Sequence, residues 1–199
     1  AFEAGVRAAV TAAVEKQLAT GLDVINDGEQ SKPDYSTYIK DRLTGFAGES
    51  VTLPMGADLK DFPEFAARWG IGRPAARPTC SGPVAWKDWP AVEKDIDNLR
   101  RAVEGRGASE VFMTAVSPGQ AARFLPNRFY QSDEAYLAAL ADALTREYHA
   151  IVGAGFLLQL DCPDLGSGRN NQFQHLSLEE FQKVAEMHVE LLNHAVADI

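Results

Sequence analysis

Two short apolar runs of this chain start at a glycine that ends a helical stretch, and both finish in carboxylates. The first is Gly21-Leu22-Asp23-Val24-Ile25-Asn26-Asp27-Gly28-Glu29-Gln30. The second is Gly155-Phe156-Leu157-Leu158-Gln159-Leu160-Asp161-Cys162-Pro163-Asp164. A helix stopped by glycine, a buried strand and then an acid is the layout of a β/α unit. In such units parallel strands present polar groups at their C-terminal ends, and the following loops shape a pocket.

The rest of the chain repeats the alternation. Val6, Val10, Val14 and Leu18 form a stripe at helical spacing over residues 2–20, and Leu22–Asn26 follows as a strand. Residues 31–60 lack periodicity and predict a long excursion with a small hairpin around Leu43–Phe46. Such long connections tend to be functional. A short helix is predicted over Asp61–Trp69, and a second strand over Arg77–Cys80 that runs into Ser81-Gly82-Pro83. Asp88 is a candidate N-cap with Pro90 in the first turn, opening a helix on Val92, Ile96, Leu99 and Val103.

Glu110–Val116 reads as a third strand closed by Ser117-Pro118-Gly119. Ser132 opens a long helix with Asp133 and Glu134 at its positive end. Phe156–Leu160 reads as a fourth strand, and Ser177-Leu178-Glu179-Glu180 is a capping box for the last helix. Helix and strand thus alternate in the manner of a parallel sheet. The expected fold is α/β, a (β/α)8 TIM barrel of which about four central β/α units are present, in one partial-barrel domain over residues 1–199. A whole barrel takes ~250 residues. An open doubly wound sheet would carry a glycine-rich phosphate turn, and no G-x-G-x-x-G or Walker-type motif occurs.

Bulk properties narrow the partners. A net charge of −9 argues against nucleic acid and anionic membrane, which need a concentrated basic face. No apolar run approaches the ~18–20 residues that span a bilayer. Two cysteines, Cys80 and Cys162, make no disulfide framework, so a reducing cytoplasm is expected. The chain opens on Ala1 inside a helical pattern, which suggests an excerpt of something longer.

Glu29 lies in a tight turn after Gly28, where a carboxylate can bind an ammonium, act as a base or ligate a metal; a plain loop acid or helix cap competes. Asp161 has the same position after the fourth strand, with Pro163 stiffening the turn. Asp27 and Asp164 are as suited to capping or ion pairing as to touching a ligand. Cys80 and Cys162 fall near strand ends, yet no C-x-x-C, H-x-C or H-E-x-x-H motif accompanies them, and buried filler is the simpler role. His188 lies on an apolar stripe and reads as a core histidine, while His175 is in the loop after the fourth strand. Tyr35, Tyr38, Trp86, Phe129 and Tyr130 could wall a pocket or simply close the end of a barrel.

These motifs together resemble the cobalamin-independent methionine synthase family. The resemblance is carried by A-x-x-x-Q-L-x-x-G-L-D-V-I-N-D-G-E-Q-S-K-P over residues 13–33, S-G-P-V at 81–84 and G-F-L-L-Q-L-D-C-P-D-L over 155–165. It is strongest to the short single-barrel members, which relate to zinc-dependent coenzyme M alkyltransferases. The resemblance implies a β/α barrel with Zn²⁺ at its mouth, a methyltransferase that passes a methyl group from a methylated folate to a thiol such as homocysteine, and hence methionine biosynthesis. It implies that Glu29 and Asp161 bind the homocysteine ammonium, with no catalytic or metal-ligating residue assigned in this chain.

Three departures accompany it. The family's early T-x-x-G-S strand is expected before Phe2, and its H-x-C zinc motif beyond Ile199, so the zinc ligands are expected outside these residues. Cys162 stands where classical members carry a second acid. A sheet of this kind leaves open edges, so stability is expected to need the missing part, a further copy of the chain or a rearranged sheet. Other readings share the residues: transfer of a different alkyl group to a thiol on the same barrel, a lyase or aldolase using Glu29 and Asp161 around a divalent cation, and a catalytically inactive module that assembles as an oligomer.

Overall fold

A computed structural model describes residues 1–69 and 76–199. Helix α1 (Phe2–Ala19) buries Val10 and Val14 of the predicted stripe, with Val6 and Leu18 packed at its margin. Gly21 then takes φ +84°, a left-handed conformation that costs glycine little, and turns the chain into β1 (Val24–Ile25). The long excursion carries α2 (Ile39–Arg42), β2 (Ser50–Thr52), α3 (Ala57–Asp61), α4 (Pro63–Trp69) and β3 (Ala76–Pro78). After it come α5 (Trp89–Val103), β4 (Glu110–Val116), α6 (Pro118–Phe124) and α7 (Asp133–Gly153). Gly155, at φ +86°, repeats the turn of Gly21 and leads into β5 (Leu157–Asp161). The short α8 (Asp164–Ser167), a 3-10 turn at Gly168–Asn170 and α9 (Leu178–Ala195) complete the order.

The result is a mixed α/β fold around a parallel sheet of order β1-β4-β5. Ile25 pairs with Val111, and Val116 with Asp161, so all three strands end on the same side. Among the described residues this sheet holds three strands, one fewer than expected. The segment predicted as a parallel strand over Arg77–Cys80 instead pairs antiparallel with β2, Val51 facing Arg77. Pro78 cannot donate to a ladder, which suits it to a two-stranded edge ribbon rather than a central strand. Cys80 alone reaches a parallel bridge, to Asn127, through its N–H to the Pro126 carbonyl at 2.9 Å. The hairpin expected at Leu43–Phe46 is not local either, because Leu43 bridges to Trp86.

Two predicted helix starts are met with their chemistry. Ser132 accepts from the Ala135 N–H, and Ser177 with Glu180 forms a complete capping box. The Ser117-Pro118-Gly119 turn proves to be a helix start as well. Ser117 Oγ accepts from Gln120 N at 3.2 Å, and Pro118 occupies the first helical position, where its missing N–H costs nothing.

β4 is the central strand and its second half, Met113–Val116, is buried. The core lies between the sheet and the helices, with Leu99 of α5 and Leu140, Leu144 and Ile151 of α7 almost wholly enclosed. The outer strands are less covered: Val24 is 46% and Leu157 52% exposed. Full burial of such a side chain is worth about 1.5–3 kcal/mol, so these open strands leave stabilisation unrealised. No helix among the described residues is long and apolar enough to cross a membrane.

Candidate functional site

The C-terminal ends of β1, β4 and β5 open on a wide depression of about 720 Å³, lined by Gly28, Glu29, Tyr35, Thr114, Asp161 and Cys162 among others. Glu29 and Asp161, separated by most of the chain, therefore face one space. The parallel register does this: β1 and β5 flank β4 and each runs out into its acid at the same rim.

Glu29 is held by the turn that carries it. Gly28 and Glu29 both adopt positive φ, +62° and +54°, and Glu29 is the non-glycine residue found there among those described. Its N–H donates to Asp27 Oδ1 at 2.9 Å, and Asp27 is itself buried. Burial pushes the Asp27 carboxyl above the ordinary range, with the bond from Glu29 N–H and the charge of Lys32 working against that shift. The Glu29 side chain accepts the Thr114 hydroxyl at 2.5 Å. Lys32, whose side chain is 2% exposed, donates to the Thr114 carbonyl at 2.6 Å and lies 3.9 Å from Glu29 Oε1.

Asp161 ends β5 and is fixed through its backbone, whose carbonyl accepts from Ser117 N at 3.2 Å. Its carboxylate makes one long contact with Gln159 Nε2, at 3.3 Å. Burial raises its pKa, the Gln159 bond lowers it and the nearby Glu29 charge raises it further. A carboxylate so lightly partnered is free to take a cationic ligand. Cys162 is half-buried beside it, and burial pushes its thiol up, away from the reactive thiolate form.

Beneath the rim is a buried polar layer. The Tyr38 hydroxyl donates to Glu147 Oε2 at 2.9 Å, and Arg42 joins Glu147, at 3.4 Å, to Asp95. Lys32 Nζ sits 4.5 Å from the Tyr38 ring centroid, and Arg42 4.8 Å. Burial raises the Glu147 carboxyl, opposed by the charges of Lys32 and Arg42. Sequence reasoning passed over Lys32, Thr114 and Glu147. Thr114 had a signal, a polar residue inside the apolar run of β4, whereas the partners of Lys32 and Glu147 lie 82 and 105–109 residues away.

Other expected residues fall elsewhere. Asp164 pairs with His188, Oδ2 to Nδ1 at 2.8 Å, and accepts Ser117 Oγ at 3.0 Å, so both are core groups. His175 is exposed and lines no part of the depression. Cys80 is buried with its thiol toward the Gly82 carbonyl. Of the aromatics, Tyr35 lines the depression and is held by Gln120 Nε2 at 3.0 Å, while Trp86 donates to the Ala143 carbonyl and Tyr130 stacks on Tyr136.

No three His, Cys, Asp or Glu side chains among the described residues converge on one point. Glu29, Asp161 and Cys162 line the same depression but do not form a zinc-binding set. The residues present thus do not fit a zinc site by themselves.

A parallel sheet with helices around it and acids at its C-terminal rim defines an α/β fold of the kind in which strand ends can shape a ligand pocket. The solved structure of a B12-independent methionine synthase from Shewanella sp. W3-18-1, in complex with selenomethionine, has this fold. It matches with TM-score 0.73 and 22% identity, covering 98% of this chain and 49% of that one. A candidate vitamin-B12 independent methionine synthase from Listeria monocytogenes matches with TM-score 0.61 and 22% identity, over 97% of this chain and 50% of its own. A curated relative, 5-methyltetrahydropteroyltriglutamate--homocysteine methyltransferase of Aeromonas salmonicida (strain A449), is 45% identical over 47 residues. That stretch is 24% of this chain and 6% of the relative. No family model matches the chain. The chain resembles the cobalamin-independent methionine synthases and spans about half the length of the solved structures it matches.

Proposed function

We propose that this chain is one partial-barrel domain, residues 1–199, of a cobalamin-independent methionine synthase-like methyltransferase, and that Glu29 and Asp161 hold the ammonium group of homocysteine. The observation that carries this reading is that both acids, at opposite ends of the chain, line one depression at the C-terminal ends of parallel strands. The three-stranded sheet is then an arc of a (β/α)8 barrel, and its uncovered outer strands are where further strands add.

Two carboxylates around one ammonium form charge-assisted hydrogen bonds, each stronger than a neutral one. Glu29 is pre-positioned by Thr114 and the turn, so the ligand meets a fixed acceptor. Asp161 has spare acceptor capacity, and a bound ammonium would draw its raised pKa back down. Held by its ammonium group, the ligand keeps its thiol free of the clamp to accept a methyl group from a methylated folate. Zinc, when bound, would hold that sulfur as thiolate at neutral pH, and its ligands belong to residues beyond those described. The remaining partners in this reading are the small thiol, a further copy of the chain or the rest of the barrel, and a cytoplasmic setting.

Isothermal titration of L-homocysteine into the protein that carries these 199 residues tests the reading. Glu29→Gln and Asp161→Asn should each weaken binding about tenfold or more, the loss of roughly 1.5–3 kcal/mol expected for a charged hydrogen bond. Affinity unchanged in both variants would remove the two carboxylates from the site.

A further inference from the structure

A second cavity, open on one side, lies away from the acid-lined rim, bordered by α6, the start of α7, α9 and the loops beside them, with a volume of about 260 Å³. Ala122, Leu137, Phe173, Val184 and Met187 supply apolar lining, with the polar groups of Asn127, Gln172 and His188 among them. On one side stands Arg123, a residue only 8% exposed. Buried guanidinium groups are normally paired with a carboxylate, because an uncompensated charge in a low-dielectric interior is costly. Arg123 makes no such pair among the described residues. Its partners are neutral oxygens: Gln172 Oε1 at 2.7 Å, Ser167 Oγ at 2.7 Å, Asn171 Oδ1 at 2.6 Å and Gln120 Oε1 at 3.2 Å. Asp164 acts on it only at longer range and is itself taken up by Ser117 and His188. Four contacts leave one of the five guanidinium N–H groups without a partner. Arg128 also lines the cavity, while Asp133, the acid on its wall, accepts from Asn127 Nδ2.

We infer that this cavity is a binding site for a small organic carboxylate with an apolar body, its charge neutralising Arg123. The chemistry follows from the lining: its apolar side chains favour an organic body over a bare inorganic anion, and the buried cation favours an anion over a neutral hydrocarbon. The size follows from the volume. A cavity of ~150 Å³ takes a benzene ring, so about 260 Å³ takes a ring with a short acid-bearing arm. The inference is independent of what the acid-lined depression binds.

The three methionines, Met55, Met113 and Met187, provide the readout, because Met187 lines the cavity and the other two do not. In the full chain carrying ¹³C-methyl methionine, 3-phenylpropanoate should shift the Met187 signal saturably and leave Met55 and Met113 in place. The uncharged 3-phenylpropanamide should bind at least tenfold more weakly. Arg123→Gln should erase the difference between acid and amide, and Ala122→Phe, which fills the cavity and keeps the charge, should abolish the shift by both. Equal binding of acid and amide to the wild-type chain, or an unmoved Met187 signal at millimolar acid, overturns the proposal even if Arg123→Gln fails to fold.

Discussion

Thr114 ties together two charges that would otherwise be set only by loops: its hydroxyl donates to Glu29 Oε1 at 2.5 Å while its carbonyl accepts from Lys32 Nζ at 2.6 Å. Because Thr114 belongs to the central strand, it transmits the rigidity of the sheet to the carboxylate. Thr114→Val keeps the shape and β-branching but removes the hydroxyl. Homocysteine affinity should fall about three- to tenfold, in line with the ~0.5–1.5 kcal/mol of one net hydrogen bond. The urea midpoint should move little. An affinity equal to wild type by titration calorimetry would show that the turn alone places Glu29.

That turn depends on Gly28. Its φ is +62°, and a Cβ there would lie 3.1 Å from the Ala13 Cβ of α1. Gly28→Ala should therefore cost about 1–2 kcal/mol in chemical denaturation, the penalty of a left-handed non-glycine residue, and displace Glu29 enough to weaken the ligand. Gly5, where a Cβ meets open space, is the control: Gly5→Ala inside α1 should stabilise by roughly 0.5–1 kcal/mol.

Ligand affinity should depend on pH through Asp161. Its carboxyl is raised above the ordinary range by burial, so on acidification it takes up its proton before a free aspartate would. An ammonium needs the ionised form. Affinity should thus be full near neutrality and fall as pH drops through a value above the ~3.9 of unperturbed Asp. Asp161→Asn should flatten that part of the profile, and an equally steep wild-type and variant profile would assign the dependence to another group.

The neighbouring loop behaves oppositely. Asp34 is partly buried, which pushes its pKa up, but bonds from the Thr37 hydroxyl and N–H and from Ser36 outweigh this and hold it at about 2. A lowered carboxylate contributes stability above its unfolded value, and the contribution is lost as pH falls from about 3.8 toward about 2. Asp34→Asn should remove this acid dependence, and a carboxyl NMR titration of Asp34 near the ordinary Asp value would contradict it.

The acid-tipped strands were legible because all their signals are local. A helix stop at Gly21 or Gly155, an apolar run and an acid lie within about ten residues, and the register of a parallel sheet does the rest. The strand over Arg77–Cys80 was misplaced because a short run with Pro78 looks alike in a sheet and in an edge ribbon, and its partner Ser50–Thr52 has no periodicity to betray it. Helix α6 was hidden by Ser117-Pro118-Gly119, whose residues serve turns and helix starts equally. Thr114, Lys32 and Glu147 were beyond reach for a different reason. Their roles come from side chains meeting across 80 or more residues, and polarity inside an apolar run shows only that some partner exists.

The charged layer under the site gives the last prediction. Arg42 is buried between Asp95 and Glu147, and all three side chains are under 10% exposed. Such an arrangement is weak evidence for net stability, but removing one member strands the others. Arg42→Met leaves two buried carboxylates without their cation and should cost about 3–5 kcal/mol, visible as a lower urea midpoint. The deficit should depend on pH with a definite sign. Burial already raises the Glu147 carboxyl, and loss of the Arg42 charge, which opposes that rise, raises it further. An acid that is raised in the folded state makes folding less favourable as pH increases through the folded value. The variant should therefore recover stability relative to wild type on mild acidification, and adding Glu147→Gln should return much of it at neutral pH. A deficit that is constant with pH and unrelieved by Glu147→Gln would mean that Arg42 acts through packing on Tyr38 rather than through its charge.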